Sequence, residues 1–401
     1  MKSLFFRFCL LACITLFNVA CSSHERLLGN EFLIEGEVSD IEDGTIINLI
    51  RWDNDFGMNI ASDTVRNGRF IFKEETVSDS ERLTIMSYGE GFPLMSLGVW
   101  VAPKAKVKIK GKGKLYPVWE VKSAVPYQKE ENRYTNKNRD VIAEMARISV
   151  ERNAVLPKLM AVSSRDEALP YRKIIDSLDQ INNSLNTIEI FAQVEIMEKT
   201  NISPIWLDKM QGVAMTVRYA KADDEYLDEL RKKAEGLYGR MSEEDKTTPS
   251  GYRITSYLFP PPIVGVGDDM VDADFFDING NTKHLSDYSG KYLLLDFWSS
   301  GCGPCIMALP EMKEISETYS EKLTIVSISF DSDAGWKEAM ATHDMPWVNI
   351  RDPKSFGGLA ANYGVSGIPH YVIISPENKI VDKWFGYGNG LIKKKISEHV
   401  K

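Results

Sequence analysis

The segment that most constrains the fold lies near the end of the 401-residue chain: an apolar run from Tyr292 to Trp298, then Ser299-Ser300-Gly301, then Cys302-Gly303-Pro304-Cys305 and a helical stretch. An apolar run of this length, interrupted only by Asp296, reads as a strand buried on both faces. Pro304 suits the first turn of a helix, so the two cysteines stand where strand gives way to helix. Around this unit lie a hairpin at Asn279-Gly280, a strand over 323–330, a helix over 334–342, strands over 370–375 and 379–385, and a last helix. That alternation predicts an α/β sheet with parallel strands.

A cysteine at a helix N-terminus meets unpaired N–H groups and the positive end of the dipole, which stabilise its thiolate. Lowering a thiol pKa from about 8.5 to about 7 raises the thiolate fraction at neutral pH roughly 15-fold and lowers nucleophilicity about 5-fold, so Cys302 gains mainly as a leaving group. Cys305, one turn on, can resolve a mixed disulfide intramolecularly. Other uses of the pair are weaker. A structural bridge closing so small a loop removes little chain entropy. A zinc site needs two further ligands, and His24, His284, His343, His370 and His399 supply no closely spaced pair. A peroxidatic cysteine of the Pro-x-x-x-Thr-x-x-Cys type is not matched, since Leu295 and Trp298 stand seven residues before Cys302 and Cys305.

The remaining cysteines point to compartment. Five occur, and Cys9, Cys13 and Cys21 crowd the start. Lys2 and Arg7 precede an apolar stretch, Phe8 to Val19, too short to span a bilayer, which reads as a signal over 1–20. Asn18-Val19-Ala20-Cys21 resembles a lipobox, which implies lipidation of Cys21 and a lipid-anchored tether over 21–30; Asn18 stands where an aliphatic residue is usual. Removing the signal and assigning Cys21 to lipid leaves one close pair, which is chemistry rather than a disulfide scaffold. A net charge of −9 argues against nucleic acid as a partner.

Between these ends the chain divides by pattern. Residues 31–125 carry short alternating segments broken by turns such as Asp43-Gly44 and Asn67-Gly68, predicting an all-β, antiparallel sandwich-like domain. Lys104, Lys106, Lys108, Lys110, Lys112 and Lys114 alternate, so they share one face, read as a solvated row that discourages edge pairing in preference to an anion-binding patch. Residues 126–250 are helical in period. A stripe from Tyr171 to Ile188 follows Pro170, taken as a helix start; Ser203-Pro204 opens another helix, and Asp223 to Met241 forms a third. Pro260 to Pro262 with Gly265 and Gly267 suggest a stiff linker over 251–266 before a last domain at 267–401.

The last domain resembles the TlpA/ResA-type thioredoxin-fold oxidoreductases of the AhpC/TSA and redoxin superfamily, membrane-tethered proteins of bacterial envelopes. The residues that carry the resemblance are Gly280-Asn281-x-x-His284-Leu285-Ser286-Asp287 before Gly290-Lys291, the run LLDFW before CGPC, Leu309-Pro310, and GIPHYVIIS from Gly367. The β-rich and helical part resembles the extension that precedes such domains. The resemblance implies that Cys302 attacks and Cys305 resolves, that Pro369 is the cis-proline beside the dithiol, and that Asp296 is a buried acid taking the Cys305 proton. Trp298, Gly303, Pro304, Ile368 and His370 are implied as substrate-binding surface. A carboxyl inside LLLDFW should titrate high.

Three positions depart from the family pattern. Gly301 replaces an aromatic residue and opens the approach to Cys302. Ala308 stands where glutamate is common, and His370 follows Pro369 where threonine is common; a reference pKa of about 6.5 would let His370 make exchange pH-dependent, but it reads rather as a plain hydrogen-bonded histidine. The expected activity is thiol-disulfide exchange with protein substrates, more as reductant than oxidant, fed by an upstream envelope electron donor and needing no metal or organic cofactor. A binding or scaffold protein with a secondary redox domain, and a thiol peroxidase, are the alternatives.

Overall fold

The structure, a computed structural model, describes residues 26–53, 56–221 and 224–401. The expected signal, Cys21 and the start of the tether lie outside the described residues. The described chain is multidomain: a β-rich region, a helical segment and a thioredoxin-like domain.

The first region holds β1 (Glu31–Ser39), β2 (Ile46–Asp53), β3 (Phe56–Thr64), β4 (Arg69–Glu75), β5 (Glu81–Met86), β6 (Leu97–Val101), β7 (Lys106–Lys112) and β8 (Glu120–Lys122). They form two four-stranded sheets, β4-β1-β7-β8 and β3-β2-β5-β6. Phe32, Ile34, Leu49, Ile85, Val107 and Ile109 fill the core between them. The expected all-antiparallel arrangement fails at one place, because β7 pairs in parallel with β1. The chain leaves the first sheet after β4, builds β5 and β6 in the second, and returns beside β1 in the same direction. This placement also overturns the edge role of the lysines, since β7 lies between β1 and β8. Val107 and Ile109 point inward, and outward lysines meet acids of β1 and the turn that follows it, as in Lys110–Glu37 and Lys112–Asp40. Such exposed pairs contribute little to stability.

The helical segment comprises α1 (Pro126–Lys137), α2 (Arg139–Ala161), α3 (Arg165–Met197), α4 (Pro204–Tyr219), α5 (Leu227–Tyr238), α6 (Glu243–Lys246) and α7 (Pro249–Leu258). Ser203 caps α4 by accepting the Trp206 N–H. Pro170 does not open its helix. Ser164 caps α3 earlier, with Asp166 and Glu167 in the first turn, and Pro170 sits inside near the start. The expected stripe is only partly covered, with Ile175 and Leu178 buried and Ile174, Ile181 and Ile188 exposed. Glu131 of α1 joins this segment to the sandwich by accepting from Arg82 of β5 and Trp100 of β6 and facing Lys209 of α4. Burial alone would push its carboxyl up, but Lys209, Arg82 and Trp100 hold it down to about 2.

The expected linker is not free. Residues 251–258 belong to α7, whose Arg253 lies over the Phe356 ring at 5.5 Å. The following residues run along the last domain, where the Val264 N–H bonds to Asn362 O and the Gly267 N–H to Ile380 O, each at 2.8 Å.

That domain holds β9 (Phe275–Phe276), β10 (Thr282–Lys283), β11 (Tyr292–Trp298), α8 (Gly303–Thr318), β12 (Leu323–Ser329), α9 (Asp333–Thr342), β13 (Val348–Arg351), α10 (Leu359–Tyr363), β14 (His370–Ile374), β15 (Ile380–Phe385) and α11 (Leu391–His399). Strand order is β10-β9-β13-β12-β11-β14-β15. β11 is central, parallel to β12 and antiparallel to β14. Leu293, Leu295 and Phe297 bury on one of its faces, and Leu294 packs on the other with Ala308, Met312 and Ile315 of α8. β13 and α10 were not expected from the sequence; both are very short, with little periodicity to read.

Candidate active site

Cys302 follows the end of β11 and is the N-cap of α8. Its Sγ accepts the Cys305 N–H at 3.2 Å and is bonded to Cys305 Sγ at 2.01 Å. The turn into it is shaped by buried Asp331, which accepts from Ser299 Oγ and from the Ser300 N–H at 2.9 Å. Cys302 is 6% exposed and Cys305 3%, both in a cluster with Trp298, Trp336, Ala339 and Met345. In the reduced form the N–H at Cys302 Sγ and the helix dipole favour a thiolate there. Gly303 and Pro304 are exposed beside it.

Asp296 is buried on β11. Side chains two apart on a strand share a face. Leu294 packs on α8 and Trp298 on Cys305, so Asp296, between them, lies on the face that α8 covers. Ser327 Oγ donates to its Oδ2 at 2.7 Å, and Trp347 Nε1 donates to Ser327 Oγ at 2.8 Å. Burial pushes the carboxyl up to about 7, against the lowering effect of Ser327. A group ionising near neutral pH in that place is suited to proton transfer.

The Ile368-Pro369 bond is cis, and Ile368 packs against the cysteine cluster. Two expected site residues stand differently from the reading above. Trp298 is 1% exposed and forms the floor under the cysteines, where no substrate reaches it. His370 is buried with its ring edge-on to Phe297, and neither ring nitrogen has a hydrogen-bond partner among the described residues. Burial, with Lys383 nearby, brings it down to about 4, so it is neutral at physiological pH and is no switch there. Ala308, on the inner face of α8, is buried in the cluster that holds Leu294 of β11. Among the described residues no group of three or more His, Cys, Asp or Glu is placed to hold a metal ion.

The structure adds a residue that sequence reading missed. Phe56, at the start of β3, packs against the cluster of Cys302 and Cys305. Its trace in the sequence was indirect, the missing side chain at Gly301, where a Cβ would meet Phe56.

The sequence matches the thioredoxin-like family over residues 290–380. It is 30% identical over 125 residues to the thioredoxin-like protein YneN of Bacillus subtilis, covering 30% of this chain and 72% of that one. To a thioredoxin of Chlorobaculum thiosulfatiphilum it is 30% identical over 125 residues, 31% of this chain and 92% of that one. To the thiol-disulfide oxidoreductase ResA of Bacillus thuringiensis it is 28% identical over 127 residues, 31% of this chain and 70% of that one. Among solved structures, the thioredoxin domain of a thiol-disulfide oxidoreductase from Bacteroides vulgatus aligns with 28% identity and a TM-score of 0.32, over 34% of this chain and 99% of that one. Through this last third, with its dithiol at the end of the central strand, the chain belongs to the thioredoxin-like thiol-disulfide oxidoreductases.

Proposed function

We propose that the protein reduces disulfides of protein substrates in the bacterial envelope through the dithiol of Cys302 and Cys305. The observation that carries this reading is the pair's position: Cys302 Sγ caps α8, accepts the Cys305 N–H and is bonded to Cys305. The Cys302 thiolate attacks a substrate disulfide, forming a mixed disulfide and releasing one substrate thiolate. Cys305 passes its proton to Asp296 and attacks Cys302 Sγ, which re-forms the internal disulfide and releases the second thiolate. Two electrons thus move to the substrate, and an envelope electron donor restores the dithiol. Gly303, Pro304, Ile368 and Pro369 form the surface that receives the substrate segment. No cofactor is needed to balance these steps.

Trapping tests the pathway. Cys305→Ala is expected to accumulate mixed disulfides with envelope proteins, resolved on gels by added reductant; an empty trap in cells where the wild-type protein cycles would reject the assignment. The Gly-Pro pair supports the reducing direction, and equilibrium with glutathione measures it. We expect a potential below about −220 mV, and a value near about −120 mV would reverse the direction.

The cationic start and Cys21 support lipid anchoring at a membrane. Cys21→Ser is expected to move the protein from the membrane to the soluble fraction, and an unchanged distribution would remove the anchor from the proposal.

A further inference from the structure

The hairpin of β2 and β3 reaches from the sandwich to the dithiol and pairs Asp53 with Phe56 at its end. Two glycines of the redox domain leave room for these residues. A Cβ on Gly301 would stand 2.7 Å from the Phe56 Cβ, and one on Gly335 would stand 2.3 Å from Asp53 Oδ2. Contacts that short do not occur between real atoms, so a larger residue at 301 displaces Phe56 and the strand that carries it, and one at 335 displaces the Asp53 carboxylate from its seat. Asp53 is pinned as well as accommodated. Its carboxylate accepts the Ser332 N–H at 3.2 Å and Ser332 Oγ at 3.0 Å, while the same hydroxyl caps α9 by accepting the Gly335 N–H at 3.1 Å. Phe56 is thereby held against the cluster of Trp298, Cys302, Cys305 and Trp336, against which Ile368 also packs.

We infer that Phe56, positioned by Asp53, is a specificity-determining residue of the dithiol site: it walls off the Gly301 side of Cys302, leaving the side of Pro304 and Ile368 as the approach. Thiol-disulfide exchange needs a clear path to the attacked sulfur. A disulfide on a narrow, extended segment can enter along the open side, whereas one flanked by bulky folded surface collides with the hairpin. The aromatic cover that residue 301 lacks is supplied by a different domain, so the N-terminal region takes part in selecting substrate. This rests on Cys302 being the attacking thiol.

The test uses the full-length reduced protein with two probes, insulin as a bulky protein disulfide and bis(2-hydroxyethyl) disulfide as a small one. Phe56→Ala is expected to raise kcat/KM for insulin at least about 5-fold and for the small disulfide less than about 2-fold. The glutathione equilibrium should not move, which separates access from redox poise. Asp53→Ala, away from the thiols and from any core, should shift the ratio the same way, and it serves alone if Phe56→Ala does not fold. Equal changes for both probes, no change, or a loss confined to insulin would each overturn the inference. If the wild-type protein reduces neither probe, the oxidoreductase reading fails instead.

Discussion

Replacing Cys302 by serine is expected to lower disulfide reduction by at least about 10⁴-fold, more than about 5 kcal/mol in transition-state terms. The reason is local. The first turn of α8 offers Cys302 Sγ an N–H at 3.2 Å and the positive end of a helix dipole, which stabilise a thiolate but cannot ionise an alcohol near neutral pH. Serine also has no sulfur with which to form the mixed disulfide. Cys305→Ser should differ in kind, because the first attack survives: one equivalent of substrate thiol is released and turnover stops. Stopped-flow measurement of the released thiol distinguishes the two variants. If Cys302→Ser retained more than about a thousandth of wild-type turnover, another group would be carrying the exchange.

Asp296→Asn is expected to produce two opposite effects, a slower enzyme and a more stable fold. Burial raises the carboxyl from the usual 3.8 to about 7, so its folded-state pKa lies above its unfolded one. The stability that the neutral acid contributes is therefore complete below about pH 4 and is lost as pH rises through about 7. Asparagine has no such loss. The variant should match the wild type near pH 4 and exceed it above pH 8 by up to about 4 kcal/mol, read as a melting-temperature gap that widens with pH. Resolution of the mixed disulfide, deprived of its proton acceptor, should slow about 100-fold and lose its pH inflection near neutrality. A melting-temperature gap that stays constant with pH would mean that the titrating carboxyl is not Asp296. Stability gained at a cost in activity is usual for a buried functional charge.

Much of the redox site was legible because its elements are local. The strand run, the cysteine at the N-cap and Pro304 in the first turn of α8 follow one another in the chain, and each has its own short-range signature. Asp296 could be read as buried because it interrupts an apolar run. Trp298 could have been read correctly too, since period two places it on the same inward face as Leu294. His370 could not. In the sequence it reads as a plain hydrogen-bonded histidine, whereas its burial beside Phe297 and near Lys383, without a hydrogen-bond partner among the described residues, depends on how β14 seats against β11. The parallel pairing of β1 with β7 was equally hidden, because strand direction depends on the path through β5 and β6 rather than on any residue of either strand.

Local sequence signals were therefore enough to place Cys302 at the start of α8, Cys305 one turn later, and a buried carboxyl at Asp296 on the preceding strand. Short-range hydrogen bonding and side-chain periodicity suffice for those. The packing of Phe56 against the cysteine cluster, by contrast, follows from the meeting of two domains. Asp53 and Ser332 are 279 residues apart, and the seat of Phe56 on Gly301 arises from the shape of a hairpin meeting two gaps left by glycine. Complementarity of that kind has no period and no motif, because it depends on where two separately folded surfaces come into contact.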